Sequence, residues 1–318
     1  MCLTIGIDVG GTKAAAGVVA DGRIIEKLKR STPAASPPET EQVIADVVTE
    51  LASRHNVAAV GIGAAGFIDE SRSTVLFAPN LAWRGEPLRK SVEEQVGLPV
   101  IVENDANASL WAESRFGAAR GYQDVFLIAV GTGIGASMLI GGDLYRGRFG
   151  IAGEPGHYRV VPDGRLCGCG NRGCWEQYAS GSALVAEARD FARRSPEGAM
   201  RLLQLGGGTP EGISGPQVTQ AAREGDPAAL RCFQIVGSWL GQGMADLAAI
   251  MDPGCFIIGG GVSDAGSLLV APARCAYEKS LPGRGYRDLA DVRLAELGSG
   301  AGVVGAADLA RRYVTAQA

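Results

Sequence analysis

The residues Leu3-Thr4-Ile5-Gly6-Ile7-Asp8 form a largely aliphatic run that breaks at Gly10-Gly11-Thr12-Lys13 and resumes as an apolar stretch over 14–20. Strand, glycine bend and strand in that order predict a hairpin. The plan recurs: 124–130 leads into Gly131-Thr132-Gly133-Ile134-Gly135, then 136–140 and a further turn at Gly141-Gly142. Two such units predict duplicated halves. Glycine reaches positive φ and has no Cβ, so each bend can turn successive backbone N–H groups toward an anion. Neither bend is a Walker loop, and neither fits the dinucleotide fingerprint. One alone reads as a tight turn; two, each with a threonine, read as phosphate loops that clamp a nucleotide tail. A third cluster, Gly259-Gly260-Gly261, follows an apolar strand and precedes a helix predicted from Ala265 onward. It suits either close approach of a flat adenine or a packed strand-to-helix turn.

A second constraint is the set of soft donors. His157 is followed by Cys167, Cys169 and Cys174, with Glu154 and Glu176 at the two ends. One neutral imidazole and three thiolates suit tetrahedral Zn²⁺, and four protein donors leave no coordination position for a reacting water, which predicts a structural ion. The intervening Gly168, Gly170 and Gly173 let a short loop fold around it. The same three cysteines are also open to reading as plain loop residues or as a disulfide pair plus one. Cys2, Cys232, Cys255 and Cys275 are expected to be free or buried, as suits the reducing cytoplasm expected below.

The chain has 318 residues, 46% hydrophobic and 20% charged, which predicts two domains. A net charge of −4 without a dense Lys/Arg run argues against nucleic acid as a partner. No apolar stretch approaches the ~18 residues of a membrane span, and no charged-then-apolar leader precedes the first strand, so a cytoplasmic protein without a membrane partner is expected. Apolar spacing predicts helices at 41–55, 88–96, 107–116, 182–194, 228–251 and 303–313, separated by strands near 57–62, 100–102 and 292–297. The alternation is that of an α/β protein. Residues 33–38 are expected as a polar connector. The last helix is expected to cross back, giving a discontinuous smaller domain of 1–117 plus 302–318 and a larger one of 118–301 that carries the zinc site.

The chemistry is expected at Glu103-Asn104-Asp105-Ala106-Asn107, where an apolar strand ends and a helix starts. Asp105 suits the acceptor of a hydroxyl proton in phosphoryl transfer, a role aspartate fills in kinases. It equally suits a helix N-cap.

Four segments together resemble the ROK (repressor, ORF, kinase) family of sugar kinases, and within it the bacterial ATP-dependent glucokinases. They are 8–13, 103–107, Gly131-Thr132-Gly133-Ile134-Gly135, and Gly156-His157 through Cys174-Trp175-Glu176. The resemblance covers nearly the whole chain and implies the actin-like, ribonuclease H-like two-domain fold. It implies that Asp105 is the catalytic base, that Asn104, Glu154, His157 and Glu176 hold sugar hydroxyls, and that His157, Cys167, Cys169 and Cys174 bind zinc. Gly66 and Asn80 fall where similar proteins line the sugar pocket. ATP is expected on Gly10, Gly11, Thr12, Lys13, Gly131, Thr132, Gly133, Gly260 and Gly261, with Mg²⁺ near Asp8. The implied reaction moves the γ-phosphoryl group of MgATP to the 6-hydroxyl of glucose, giving ADP. Kinases for another hexose or an N-acetylated amino sugar share these carboxylates. The family's sugar-sensing repressors carry a helix-turn-helix segment ahead of the first loop, and seven residues precede Asp8 here. Dimers or tetramers are expected. Two departures stand out: Pro155 replaces a large apolar residue, and Ala136-Ser137 interrupt a glycine run, the latter expected to matter little.

Overall fold

The computed structural model describes residues 2–316. Strands β1 (Leu3–Val9) and β2 (Lys13–Ala20) pair antiparallel around the first glycine bend, from Thr4 opposite Val19 to Val9 opposite Ala14. β3 (Arg23–Ser31) adds to β2 through a two-residue turn at Asp21-Gly22, where both residues have positive φ (44° and 78°). Such turns match the right-handed twist of a hairpin. Apolar spacing does not predict this strand; its local signal is Asp-Gly between extended runs. Its Lys and Arg side chains protect the sheet edge from further pairing.

Helix α1 (Pro37–Ala52) begins four residues before the predicted 41, because proline is tolerated in the first turn, where the N–H has no helical partner. The last two of the six residues expected as a connector are therefore helix. β4 (Val57–Ala64) follows, then a small antiparallel sheet of β5 (Phe67–Ile68), β6 (Val75–Phe77) and β7 (Arg84–Glu86). α2 (Leu88–Val96) ends at Gly97 in the left-handed conformation, φ 66°. β8 (Val100–Asn104) runs straight into α3 (Asp105–Phe116). The first sheet has the order β3-β2-β1-β4-β8, with β1, β4 and β8 parallel.

β9 (Val125–Val130), β10 (Ile134–Ile140) and β11 (Asp143–Leu144) repeat the strand-bend-strand plan. Helices follow: α4 (Glu176–Ala179), α5 (Gly181–Arg194), α6 (Met200–Leu205), α7 (Gly215–Arg223) and α8 (Pro227–Met251). β12 (Cys255–Gly259), α9 (Ser267–Ser280), β13 (Asp291–Leu294) and α10 (Ala301–Thr315) complete the chain. The second sheet is ordered β11-β10-β9-β12-β13, with β12 parallel to both β9 and β13. The predicted strand at 292–297 stops at Leu294, and Leu297 gives its N–H to Glu113 Oε1 at 2.8 Å. No helix among the described residues is long and apolar enough to cross a membrane.

The chain divides into two compact units: 2–123 with Ser137–Gly153 and 295–316, and 124–136 with Glu154–Leu294. Against the expected boundaries at 117/118 and 301/302, the first unit also takes in 118–123, 295–301 and the separate stretch Ser137–Gly153. For that stretch the reason is polar: Ser137, Arg146 and Asp143 bond to Ala106, Glu103 and Arg312. Residues 1, 317 and 318 of the expected first domain lie outside the described residues.

In the first unit α10 lies on β1, β4 and α3. The approach leaves no room for a side chain: a Cβ on Gly61 would stand 1.9 Å from the Ala306 carbonyl oxygen, and one on Gly305 1.7 Å from that of Ala108. Buried Asp308 locks the same face by accepting from Trp111 Nε1 at 2.9 Å. Gly61→Ala is therefore expected to destabilise the protein by about 2–3 kcal/mol, read as a lower urea midpoint; a midpoint equal to the parent's would reject this account of the packing.

Candidate active site and metal centre

In the first unit the site is built at the β8–α3 junction. Asn104 is extended (φ −65°, ψ 143°) and its side chain accepts from Asn107 N at 3.1 Å, so it is the N-cap of α3. That settles the capping question: Asp105 is the first helical residue, and its Oδ1 accepts from Ala106 N at 2.9 Å. Asn104 Nδ2 donates to the Gly66 carbonyl at 3.1 Å. A Cβ on Gly66 would lie 2.4 Å from the Phe77 carbonyl oxygen, which is why that position holds glycine. Behind the junction, Glu103 is 2% exposed. Its Oε1 accepts from Asn107 Nδ2 at 3.0 Å and from Asn104 N at 3.1 Å. Its Oε2 takes two donations from Arg146, at 2.9 and 2.5 Å, a forked geometry that fixes both partners. Ser137, expected to matter little, is buried and donates to the Ala106 carbonyl at 3.1 Å, one residue from Asp105.

The first glycine bend closes through Gly10 N to Lys13 O at 3.0 Å, and Thr32 N donates to Thr12 O at 3.2 Å. Gly11 packs on Asn80, where a Cβ would meet the Asn80 carbonyl oxygen at 2.7 Å. Asp8 is half-buried beside Gly302 at the start of α10. Burial raises its carboxyl above the ordinary range, and the Lys13 charge opposes the rise.

In the second unit, Gly131 N bonds Gly133 O at 3.0 Å, and Gly181 N and Ser182 N at the start of α5 donate to Gly131 O and Thr132 O at 2.8 and 3.3 Å. Ser180 caps that helix. This loop and Gly261 line one cavity of about 1140 Å³, walled by α5 and α7 through Val185, Arg189, Thr219 and Arg223. Gly260 has φ 82° and packs against the Val130 carbonyl, where a Cβ would come within 2.6 Å. The third glycine cluster enters a 3₁₀ turn, Gly261–Ala265, before α9 begins. Of the two walls, α5 lies on the helix expected at 182–194, whereas apolar spacing predicts no helix at α7. The signals were Pro216 and the Ser214/Gln217 capping box.

His157 ends a 3₁₀ turn, Pro155–His157, which starts on the buried Pro155. Its Nδ1 stands 3.6 Å from Cys167 Sγ, and Cys169 Sγ stands 3.6 Å from Cys174 Sγ. All four donor atoms lie within 4.8 Å of one another. Tetrahedral zinc with Zn–S of ~2.3 Å sets sulfurs about 3.8 Å apart, so the donors fit one ion, whereas a disulfide needs ~2.05 Å. Burial pushes the Cys167 thiol up to about 12, and burial likewise raises Cys174, while the Asn171 N–H lowers Cys169. Glu176 joins this cluster to the phosphate loop. Its Oε1 accepts from Cys167 Sγ at 3.0 Å and stands 3.7 Å from His157 Nδ1, and its Oε2 accepts from Ile134 N at 3.4 Å. A Cβ on Gly133 would stand 2.3 Å from that Oε2. Glu154 is raised by burial, opposed by His157 and reinforced by Glu176.

The family model for ROK proteins matches residues 4–313. The chain belongs to the ROK family. It is 53% identical over 312 residues to the glucokinase of Streptomyces coelicolor, covering 98% of each chain. Among solved structures it is similar to a ROK family glucokinase from Streptomyces griseus in complex with glucose and AMPPNP: TM-score 0.87, 54% identity, 98% of this chain and 99% of that one. The ROK hexokinase from Thermus thermophilus gives a TM-score of 0.80 at 32% identity, with 99% of each chain covered.

This ROK chain therefore has the actin-like sugar-kinase fold. Both glycine bends, the Glu103–Asp105 segment and the His/Cys cluster are ordered parts of it. The donor set gives a metal expectation that needs no substrate. Purified protein should carry about one zinc per chain, and Cys169→Ser should lose it and melt lower. Elemental analysis showing equal zinc in the variant would remove Cys169 from the donor set.

Proposed function

We propose that this ROK protein is an ATP-dependent glucokinase that converts glucose to glucose 6-phosphate with Asp105 as general base. The observation that carries the reading is 54% identity over 98% of the chain to a glucokinase whose structure holds glucose and AMPPNP. The geometry at α3 supports the assignment of the base, because Asn104 does the capping and Asp105 is spared that task.

In the proposed step, Asp105 takes the proton of the 6-hydroxyl as that oxygen attacks the γ-phosphorus. The new O–P bond forms while the bond to the β–γ bridging oxygen breaks, and ADP departs with the electron pair. Amides of the Gly10–Lys13 and Gly131–Gly133 bends, with Thr12 and Thr132, hold the phosphates. Gly260 and Gly261 flank the purine. Asp8 fits the Mg²⁺ that travels with the nucleotide and neutralises phosphate charge, since an anion favours an oxygen-loving cation. Asn104, Glu154, His157 and Glu176 hold sugar hydroxyls, each of which donates and accepts, with Gly66 and Asn80 at the sugar as well. Nδ1 of His157 stands 3.6 Å from Cys167 Sγ, so in this reading Nε2 is the nitrogen left for the sugar. His157, Cys167, Cys169 and Cys174 would hold a structural zinc, which would tie the turn carrying His157 to the loop carrying Cys174, just before Glu176 opens α4. A cytoplasmic location and self-association as a dimer or tetramer belong to the same reading.

Coupled ADP release across a panel of sugars tests the substrate: glucose should outperform other hexoses and N-acetylated amino sugars, and a different best substrate would reassign it. Asp105→Asn should lower kcat by ~10²-fold or more with a modest change in KM. Undiminished turnover in that variant would reject Asp105 as the base.

A further inference from the structure

The first unit carries a cavity of about 570 Å³ that none of the functions above uses. Arg72, Arg146 and Arg312 line it, together with Tyr145, Tyr313 and Trp111. The carboxylates around it are already taken. Glu103 is held by Arg146, Asp143 accepts from Arg312 at 2.7 Å, and Glu70 accepts from Arg148 at 2.7 Å. Arg72 is the cation left over: its guanidinium has no hydrogen bond and no ion pair among the described residues. It is nevertheless half-buried, and burial together with the charges of Arg146 and Arg312 depresses its pKa, with the Glu103 field opposing.

The backbone is built to present this side chain. Arg72 has φ 56°, a left-handed conformation that costs a non-glycine residue about 1 kcal/mol or more. The surrounding turn imposes it. Asp69 Oδ1 accepts from Ser73 N at 2.7 Å and from Thr74 N at 2.9 Å, and Asp69 O accepts from Arg72 N at 3.0 Å. Arg72 O in turn accepts from Val102 N at 3.1 Å, one residue before Glu103. A strained backbone holding an unpaired, half-buried cation inside a cavity with two more arginines is the arrangement of a site waiting for an anion.

We propose that this cavity binds the phosphate group of a small organic phosphate, gripped by the Arg72 guanidinium with Arg312 beside it. A planar guanidinium matches two phosphate oxygens at once, and a dianion offsets the crowding of like charges that Arg72 meets. The cavity is far larger than a bare ion, and the rings of Tyr145 and Tyr313 offer a wall for the organic part. Arg312 flanks the cavity from the surface, paired with Asp143 and lying 5.1 Å over the Trp111 ring, and such an exposed pair is worth little energy. Binding here is separate from the catalytic reading and stands without it.

Isothermal titration of the full chain, with glucose and ADP present to fill the phosphate loops, tests the site with inorganic phosphate and, separately, phenyl phosphate. Both probes should bind the parent, and Arg72→Gln and Arg72→Gly should each weaken them about tenfold or more. Tighter phenyl phosphate assigns a phosphate monoester as the ligand; equal affinities assign free phosphate. Because glycine takes positive φ without strain, Arg72→Gly should melt no lower than the parent, which separates lost binding from lost folding. No binding of either probe to the parent, or equal affinity in the parent and both variants, would overturn the proposal, whatever the sugar-kinase assays show.

Discussion

The contact on which the first unit's chemistry depends is the forked ion pair between Glu103 and Arg146. A carboxylate 2% exposed, taking two guanidinium N–H groups on one oxygen and an amide plus a backbone N–H on the other, has nowhere else to go. Removing one partner of such a pair typically costs about 3–5 kcal/mol, because the other charge stays buried and alone. What the pair gives in return is position. It pins the last residues of β8, and with them Asn104 as cap and Asp105 as the first residue of α3. Ser137 adds a bond to the next turn from the same segment of chain. Arg146 and Ser137 both come from the stretch that follows the second glycine bend, which is why that stretch belongs to the first unit.

The second unit uses a carboxylate in a related way. Glu176 reaches the Cys167 thiol with one oxygen and the Ile134 N–H with the other. One side chain thus links the soft-donor cluster to the loop proposed to hold phosphate, and Gly133 is the residue that leaves it room. An ion in the cluster would set His157 and Cys174 in fixed relation without touching a reacting atom, in keeping with a closed four-donor site.

Much of this was legible in the residues. The β1–β2 and β9–β10 hairpins announced themselves through glycine between aliphatic runs, α2 fell on its predicted span, and the His157/Cys167/Cys169/Cys174 set was chemically conspicuous. Other features had signals that were passed over: Asp21-Gly22 for β3, and the Ser214/Gln217 capping box for α7. Pro37 and Pro38 looked like a connector because proline usually interrupts helices, yet at a helix start it is welcome. Nothing local reveals Arg72 as unpaired, since that depends on which partners Glu70, Asp143 and Glu103 find elsewhere in the chain.

The sequence by itself determined the repertoire: two glycine bends between strands, four soft donors, and an Asn-Asp pair at a strand-to-helix junction. Those follow from side-chain chemistry and short-range backbone preference, which a linear reading can follow. Only the tertiary structure decided that Asn104 caps and Asp105 does not, that Ser137–Gly153 serves the first unit, and which of several arginines is left without a carboxylate. The cap is a contact of three residues, from Asn107 N to Asn104, fixed by how β8 enters α3; the other two outcomes are competitions among groups 30 or more residues apart for a limited number of partners, as when Arg146 takes Glu103 across a separation of 43. Folding settles such contests through burial and geometry, and neither is written at any single position.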